Sequence, residues 1–449
     1  MLDCYKKLKE LVCGQTVDIL GLGVSNLPLL ELVHGLGALV TVRDKTDIAP
    51  DIRQKFAGVT FITGEDYLEN ITGCVVFRTP GISPNLPQLR KAAEGGALLT
   101  GEMEVFLQMC PCKIIAVTGS DGKTTTTTLI HEMLTSAGIN CHVGGNIGVP
   151  MLGELPNIGA QDVVVVELSS FQLMTMKERV DVAVVTNISP NHLDYHADMA
   201  EYVAAKMNVF GAQQAGDILV LNADNEHTPL LAQNAGGQIR YFSREKKADF
   251  CLENGFICHD GQQVIDTKQI KLPGVHNIEN YMAAAAAVWG MVDPEHMRQL
   301  AKTFNGVTHR LEFVRNFDGV DYYNDSIGTS PARTIAGLRS FEKKVILIAG
   351  GRDKKVPLNQ LTIQIFKSAK AVVLNGEAQQ ALHDSLLKSL DYNGLPVYPM
   401  DTFKKAVLKA KEIAVPGDIV LMSPSCTAFD QFENFAERGD LYMEMINSW

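Results

Sequence analysis

The chain has 449 residues, of which 46% are hydrophobic and 20% charged, and its formal net charge is −11. That length suits two or three packed domains, and the balance excludes a disordered chain. The acidic surface is a poor partner for nucleic acid, so an anionic ligand needs a local positive site.

Nine cysteines are scattered from Cys4 to Cys426, an odd number with no disulfide pattern. Cys110 and Cys112 are the closest pair, yet nothing elsewhere completes a zinc-ligand spacing, and reduced cytosolic thiols are expected. Residues 1–15 are amphipathic and lack an apolar signal core. Apolar runs such as 163–166 and 283–289 fall far short of the ~20 residues that cross a bilayer. A soluble cytoplasmic protein without membrane insertion is expected.

Short apolar runs alternate with helix-like stretches along the chain, the pattern of parallel α/β sheets. The first block, 1–101, predicts strands at 16–20, 38–42 and 73–77. The first runs into Gly21-Leu22-Gly23-Val24-Ser25-Asn26, the second into Arg43-Asp44 and the third into Arg78-Thr79-Pro80-Gly81. This is a Rossmann-like half-fold. Its G-x-G lacks the third glycine of a dinucleotide fingerprint, because Asn26 stands there. An NAD-binding dehydrogenase domain is the rival reading of this block alone.

The second block, 102–306, predicts strands at 113–117, 162–167 and 181–187, the last two ending in polar residues. After the first comes Thr118-Gly119-Ser120-Asp121-Gly122-Lys123-Thr124-Thr125, a shortened relative of the P-loop. Its glycines let backbone N–H groups converge on phosphate oxygens, and the following helix N-terminus adds positive potential. Lys123 suits the β- and γ-phosphates of ATP, and the Thr124 hydroxyl suits Mg²⁺. The plain alternative is a tight turn carrying a surface lysine. Glu167 ends one strand, and Asn187 ends the next before Asn191-His192-Leu193-Asp194, so Glu167 and His192 are candidate metal ligands. The third block, 307–449, predicts strands at 344–349, 371–374 and 418–422.

Taken in order, Gly-x-x-Gly-Lys-Thr-Thr at 119–125, Glu-Leu-Ser-Ser-Phe-Gln-Leu at 167–173 and Asn-His-Leu-Asp at 191–194 resemble the Mur ligases. Leu272-Pro273-Gly274-Val275-His276-Asn277, Thr308-His309-Arg310-Leu311-Glu312, Tyr323-Asn324-Asp325-Ser326 and Ser423-Pro424-Ser425 extend the resemblance over essentially the whole chain. It implies three α/β domains: an N-terminal Rossmann-like UDP-binding domain, a central P-loop-type ATPase and a C-terminal Rossmann-like domain. The activity implied is ATP-dependent addition of D-glutamate to UDP-N-acetylmuramoyl-L-alanine through an acyl phosphate. That reaction belongs to cytoplasmic cell-wall synthesis, on which cell shape and division depend.

By the same resemblance Gly119, Ser120, Asp121, Gly122, Lys123, Thr124 and Thr125 hold ATP, joined by Asn277, Asn280, Arg310 and Asp325. Thr124, Glu167, His192 and Lys206 serve Mg²⁺, with Lys123, His192 and Lys206 as the catalytic group. Lys206 matches a position that carries a carbamylated lysine, which requires a neutral and therefore partly buried amine. Val24, Ser25, Asp44, Thr79, Gly81 and Asn146 line the path of the UDP-muramoyl substrate. Lys354 or Lys355, with Phe435, receives glutamate. Two departures bear on that pocket: Ile327 stands where the family often has lysine, and Ala428 where many members have serine. A monomer is expected. A folylpolyglutamate synthase-like ligase shares the ATP and carbamate logic but lacks the N-terminal block, and a non-catalytic nucleotide-binding protein remains as a distant alternative.

Overall fold

A computed structural model describes residues 3–23, 26–146, 150–193, 195–272, 274–353, 357–390, 392 and 394–449. Val24, Ser25, Lys354 and Lys355 lie outside the described residues.

The apolar runs become strands because β-branched residues fit a pleated surface, and each run stops at glycine or a polar residue. The first sheet contains β1 (Thr16–Leu20), β2 (Leu39–Asp44), β3 (Thr60–Thr63), β4 (Val75–Arg78) and β5 (Leu98–Thr100). All pair in parallel, in the order β3-β2-β1-β4-β5. The second sheet comprises β6 (Lys113–Thr118), β7 (Cys141–Gly145), β8 (Val163–Glu167), β9 (Val182–Val185), β10 (Ile218–Asn222), β11 (Gln238–Ser243), β12 (Phe250–Glu253), β13 (Phe256–His259) and β14 (Gln262–Asp266). Its order is β14-β13-β12-β11-β10-β9-β6-β8-β7, parallel except where β12, β13 and β14 form antiparallel hairpins. The third sheet contains β15 (Glu312–Phe317), β16 (Val320–Asn324), β17 (Val345–Gly350), β18 (Ala369–Asn375), β19 (Val397–Pro399) and β20 (Ile419–Ser425), ordered β15-β16-β20-β17-β18-β19.

By its contacts the chain forms two compact units, 1–268 with 278–300, and 269–277 with 301–449. In the first unit, the first two sheets share one apolar core that includes Val12, Val33, Phe77, Phe106, Leu152 and Val166. Tyr5 and Leu152 fasten it with a 3.1 Å hydrogen bond from the phenol to the carbonyl. In the second unit β17 is buried on both faces. Val345, Leu347 and Ala349 join one cluster while Ile346 and Ile348 join the other. A period-2 strand between two layers needs apolar residues at every position, which is why Val-Ile-Leu-Ile-Ala reads as a continuous run. Each such side chain contributes roughly 1.5–3 kcal/mol on burial.

No helix among the described residues is long and apolar enough to cross a membrane. All nine cysteines are free thiols. β6 lies between β9 and β8 in the second sheet, parallel to both, so the turn after β6 opens beside the ends of both neighbours.

Candidate active site

The turn after β6 is shaped by two glycines that no other residue replaces without strain. Gly119 has φ +147° and Gly122 φ +76°. A Cβ on Gly119 would collide with the Thr186 hydroxyl, and one on Gly122 with the Asn280 amide oxygen. Thr186 and Asn187 follow β9, and they hold the turn from outside. Thr186 Oγ1 donates to the Asp121 carbonyl at 2.6 Å, and the Asp121 amide donates to Asn187 Oδ1 at 2.9 Å. Ser120 is tied through its hydroxyl to the Ser189 carbonyl and to the Tyr202 hydroxyl, each at 2.9 Å. Gly122 caps the helix Lys123–Ser136, whose first turn buries Thr124 and Thr125. Lys123 Nζ donates to the carbonyls of Gly119 (3.0 Å) and Ser120 (2.8 Å), so its ammonium lies over the turn. Backbone amides, a helix N-terminus and a cation therefore meet at one strand end, the arrangement that receives phosphate.

Asn280 reaches the turn from the helix Val275–Val288 and accepts from Thr126 Oγ1 at 3.3 Å. Asn277 precedes it by three residues on that helix, so the two share a helical face.

Lys206 lies within the helix Met199–Met207 and is 1% exposed. Its Nζ donates to the Gly119 carbonyl at 2.7 Å and to Thr118 Oγ1 at 3.4 Å. Burial pushes its ammonium well below the usual lysine range and the charge of Lys123 adds to that, while Asp121 and Glu167 oppose it. Glu167, at the end of β8, is 1% exposed. One of its oxygens accepts from Asn146 Nδ2 at 2.8 Å; the other, Oε2, is buried with no hydrogen-bond partner. A buried carboxylate oxygen left unsatisfied is costly unless a cation completes it. That oxygen fits Mg²⁺, which takes one or two carboxylates together with phosphate oxygens rather than an all-protein cage. Among the described residues no cluster of three or more His, Cys, Asp or Glu forms such a cage. His192 has φ +56°, and its ring packs 4.8 Å from Phe171, in the segment after Glu167.

In the first sheet, Asp44 accepts from the Leu22 amide (2.7 Å) and from the Thr46 amide and hydroxyl (2.8 Å each). Partial burial opposes its ionisation, yet these hydrogen bonds outweigh burial and hold its carboxyl below the usual aspartate range. Thr79 is half-buried, with its amide on the Leu20 carbonyl at 2.9 Å, and Gly81 is exposed.

The second unit gathers Arg310, Asp325 and Phe435 around the ends of β16 and β20. Asp325 accepts from Ser423 Oγ at 2.6 Å and from the Leu311 amide at 3.3 Å. Burial pushes its carboxyl up to about 6, with the Ser423 bond and the Arg310 charge opposing. The Phe435 carbonyl accepts from Ser326 Oγ at 2.7 Å, and the Phe435 ring lies 6.2 Å from His309. Ala428 is buried, and the Ile327 amide donates to the His309 carbonyl at 3.0 Å.

Sequence reasoning passed over the residues that hold these groups: Thr186, Ser189, Tyr202 and Arg78. Thr186-Asn187 at the end of an apolar strand was a usable signal, as was a lone arginine closing Val-Val-Phe-Arg. Tyr202 carried none, because an aromatic at helical spacing reads as core.

The Mur ligase middle domain family matches residues 117–288, and the Mur ligase glutamate ligase domain matches 309–426. The chain is 45% identical to the UDP-N-acetylmuramoylalanine–D-glutamate ligase of Clostridium novyi, with all of both chains covered. It is 45% identical to the enzyme of that name from Acetivibrio thermocellus, over 99% of this chain and 98% of the relative. Among solved structures, the UDP-N-acetylmuramate-alanine ligase MurC of Thermotoga maritima has the same fold, with a TM-score of 0.58 at 18% identity over 97% of this chain and 99% of that one. Full-length relatedness at this identity, carried on the turn and strand ends just described, means that the chain belongs to the Mur ligase family, among the UDP-N-acetylmuramoylalanine–D-glutamate ligases.

Proposed function

We propose that the chain joins D-glutamate to UDP-N-acetylmuramoyl-L-alanine at the expense of ATP, as an Mg²⁺-dependent, monomeric enzyme of the cytoplasm. The observation that carries this reading is the convergence on Gly119 of a phosphate-type turn, the buried Lys206 and, one strand away, the unsatisfied oxygen of Glu167. ATP with Mg²⁺ supplies the phosphoryl group that converts an unreactive carboxylate into an acyl phosphate open to attack by an amine.

The chain's own residues do the positioning and the charge neutralisation. Residues 119–125, with the Lys123 ammonium, bind the triphosphate, and Thr124 Oγ1, Glu167 and His192 would hold the metal. Lys206, whose charged form burial disfavours, is suited to take up CO₂ as a carbamate with release of a proton, which places an anion beside Glu167. Asn277 and Asn280 serve the adenine, and Arg310 and Asp325 are further nucleotide-binding residues in this reading. Val24, Ser25, Asp44, Thr79, Gly81 and Asn146 receive the UDP-muramoyl substrate. Lys354 or Lys355, with Phe435, receives glutamate. In this reading residues 1–101, 102–306 and 307–449 are the substrate, nucleotide and amino-acid blocks.

Phosphate release from ATP with UDP-N-acetylmuramoyl-L-alanine tests it, comparing D-glutamate, L-glutamate and no amino acid. Turnover is expected with D-glutamate alone. Release that ignores the amino acid, or none under any condition, overturns the assignment. Full activity in CO₂-depleted buffer removes the carbamate.

A further inference from the structure

Arg78 closes β4 and leads into the loop 79–82, and it is 3% exposed. Its guanidinium serves two segments at once. One terminal nitrogen, Nη1, donates to the carbonyls of Pro80 (3.5 Å) and Ile82 (3.2 Å), inside the loop. The other, Nη2, donates to the Phe171 carbonyl and to Thr175 Oγ1, both at 2.9 Å. These acceptors lie on the helix Ser170–Leu173 and just beyond it, four and eight residues after Glu167. Thr175 passes the connection on by donating its hydroxyl proton to Glu104 Oε1 at 2.5 Å.

A second path closes the loop against the same segment. Tyr195 donates its hydroxyl to the Pro80 carbonyl at 2.8 Å. Its ring centroid lies 4.1 Å from that of Phe171, and Phe171 in turn packs against His192. The loop proposed to receive substrate and the segment that follows Glu167 are thus bound into one ring of contacts with Arg78 at its closure. A planar fork with fixed donors can serve four acceptors in two directions; a lysine ammonium, with three donors on a flexible stem, cannot reproduce that pattern. A buried guanidinium is an expensive way to fill space.

We propose that Arg78 is a positioning residue for the ligase reaction: it clamps the loop 79–82 onto the segment 171–175, so that a substrate carboxylate held by the loop is registered against Glu167 and His192. The proposal rests on the ligase reading above. It adds that Arg78 acts through the loop and the helix without touching the reacting atoms, and that Thr175 is the hydroxyl through which Glu104 steadies it.

The test is steady-state kinetics of wild type, Arg78→Lys and Thr175→Val, with ADP affinity and thermal melting measured on each. Misregistration by a fraction of an ångström to one ångström lowers rates by up to about 10²-fold. Arg78→Lys is therefore expected to lose about 10²-fold in kcat and Thr175→Val about tenfold, with KM for the UDP-substrate raised. ADP affinity and KM for D-glutamate are expected within about twofold of wild type, because the phosphate turn and the second unit are untouched. A folded Arg78→Lys enzyme with wild-type kcat and KM overturns the clamp, and so does an equal loss of ADP affinity. If Arg78→Lys does not fold, Thr175→Val decides alone, and unchanged kinetics there overturn it. A wild type without D-glutamate-dependent turnover fails the ligase reading itself, and the clamp falls with it.

Discussion

Two glycine turns in this molecule look alike in sequence and behave differently. Gly21-Leu22-Gly23 follows β1, and Gly119-Ser120-Asp121-Gly122 follows β6, each strand lying inside a parallel sheet. In the first turn the Leu22 amide is already taken by the Asp44 carboxylate, and a Cβ on Gly21 would sit 2.7 Å from Thr79 Cγ2. An amide engaged by an aspartate faces a built-in anion, so the Leu22 amide is not one that grips phosphate. The second turn is braced on its outer side by Thr186 and Asn187, which leaves a helix N-terminus and Lys123 at its mouth. Neighbouring strand ends, more than the glycines themselves, decide which turn has a lysine and a helix N-terminus to offer a triphosphate.

The largest expected effect belongs to the second turn. Lys123→Ala should lower ligase turnover by about 10²–10³-fold with the melting temperature unchanged, as removal of one stabilising cation or donor does. Gly119→Ala should match it, because the added methyl meets the Thr186 hydroxyl at a φ of +147°. Either variant keeping more than about a tenth of wild-type turnover would break the distinction between the two turns, since a loss that small is below what one such group contributes.

The first turn should answer in stability. Gly21→Ala is expected to cost about 1–2 kcal/mol in urea unfolding, from a positive φ and a tight contact with the flexible end of Thr79. Gly23→Ala meets nothing within 4 Å and should stay within about 0.5 kcal/mol of wild type.

The smallest effect concerns what anchors each turn. Asp44 has its carboxyl held below the ordinary value of 3.8, so its contribution is complete above that value and is lost as pH falls through the lowered one. Asn187 holds the Asp121 amide with an uncharged oxygen. Hydrogen exchange followed as pH falls from about 4 to about 2 should therefore loosen peptides covering Leu22 before those covering Asp121. Asp44→Asn should cost about 1 kcal/mol at neutral pH, the net worth of a hydrogen bond, and should flatten that acid response. Equal protection of the two turns on acidification would show that the charge of Asp44 is incidental.

Much of the fold was legible because buried parallel strands are written as short, continuous apolar runs. β1, β6 and β8 fall within a residue or so of the runs 16–20, 113–117 and 162–167. The hairpins β12 to β14 were not legible: Phe-Cys-Leu-Glu and Gln-Gln-Val-Ile-Asp alternate too weakly to stand out from loop. Of the candidate site, the phosphate-type turn could be read directly, since its glycines and Lys123 are neighbours in the chain. The clamp at Arg78 could not, because its acceptors on the second segment lie 93 and 97 residues away.

Local sterics and hydrophobic period act between near neighbours, so the chain by itself determined its α/β class, the positions of its main strands and the glycine turn before Lys123. Tertiary structure alone decided that Lys206 lies buried on the Gly119 carbonyl, that one Glu167 oxygen has no partner and that Asp44 closes the other turn. Those outcomes depend on which strands become adjacent and how much water they exclude. Desolvation and hydrogen-bond pairing are settled between residues far apart in sequence, where no local pattern records them.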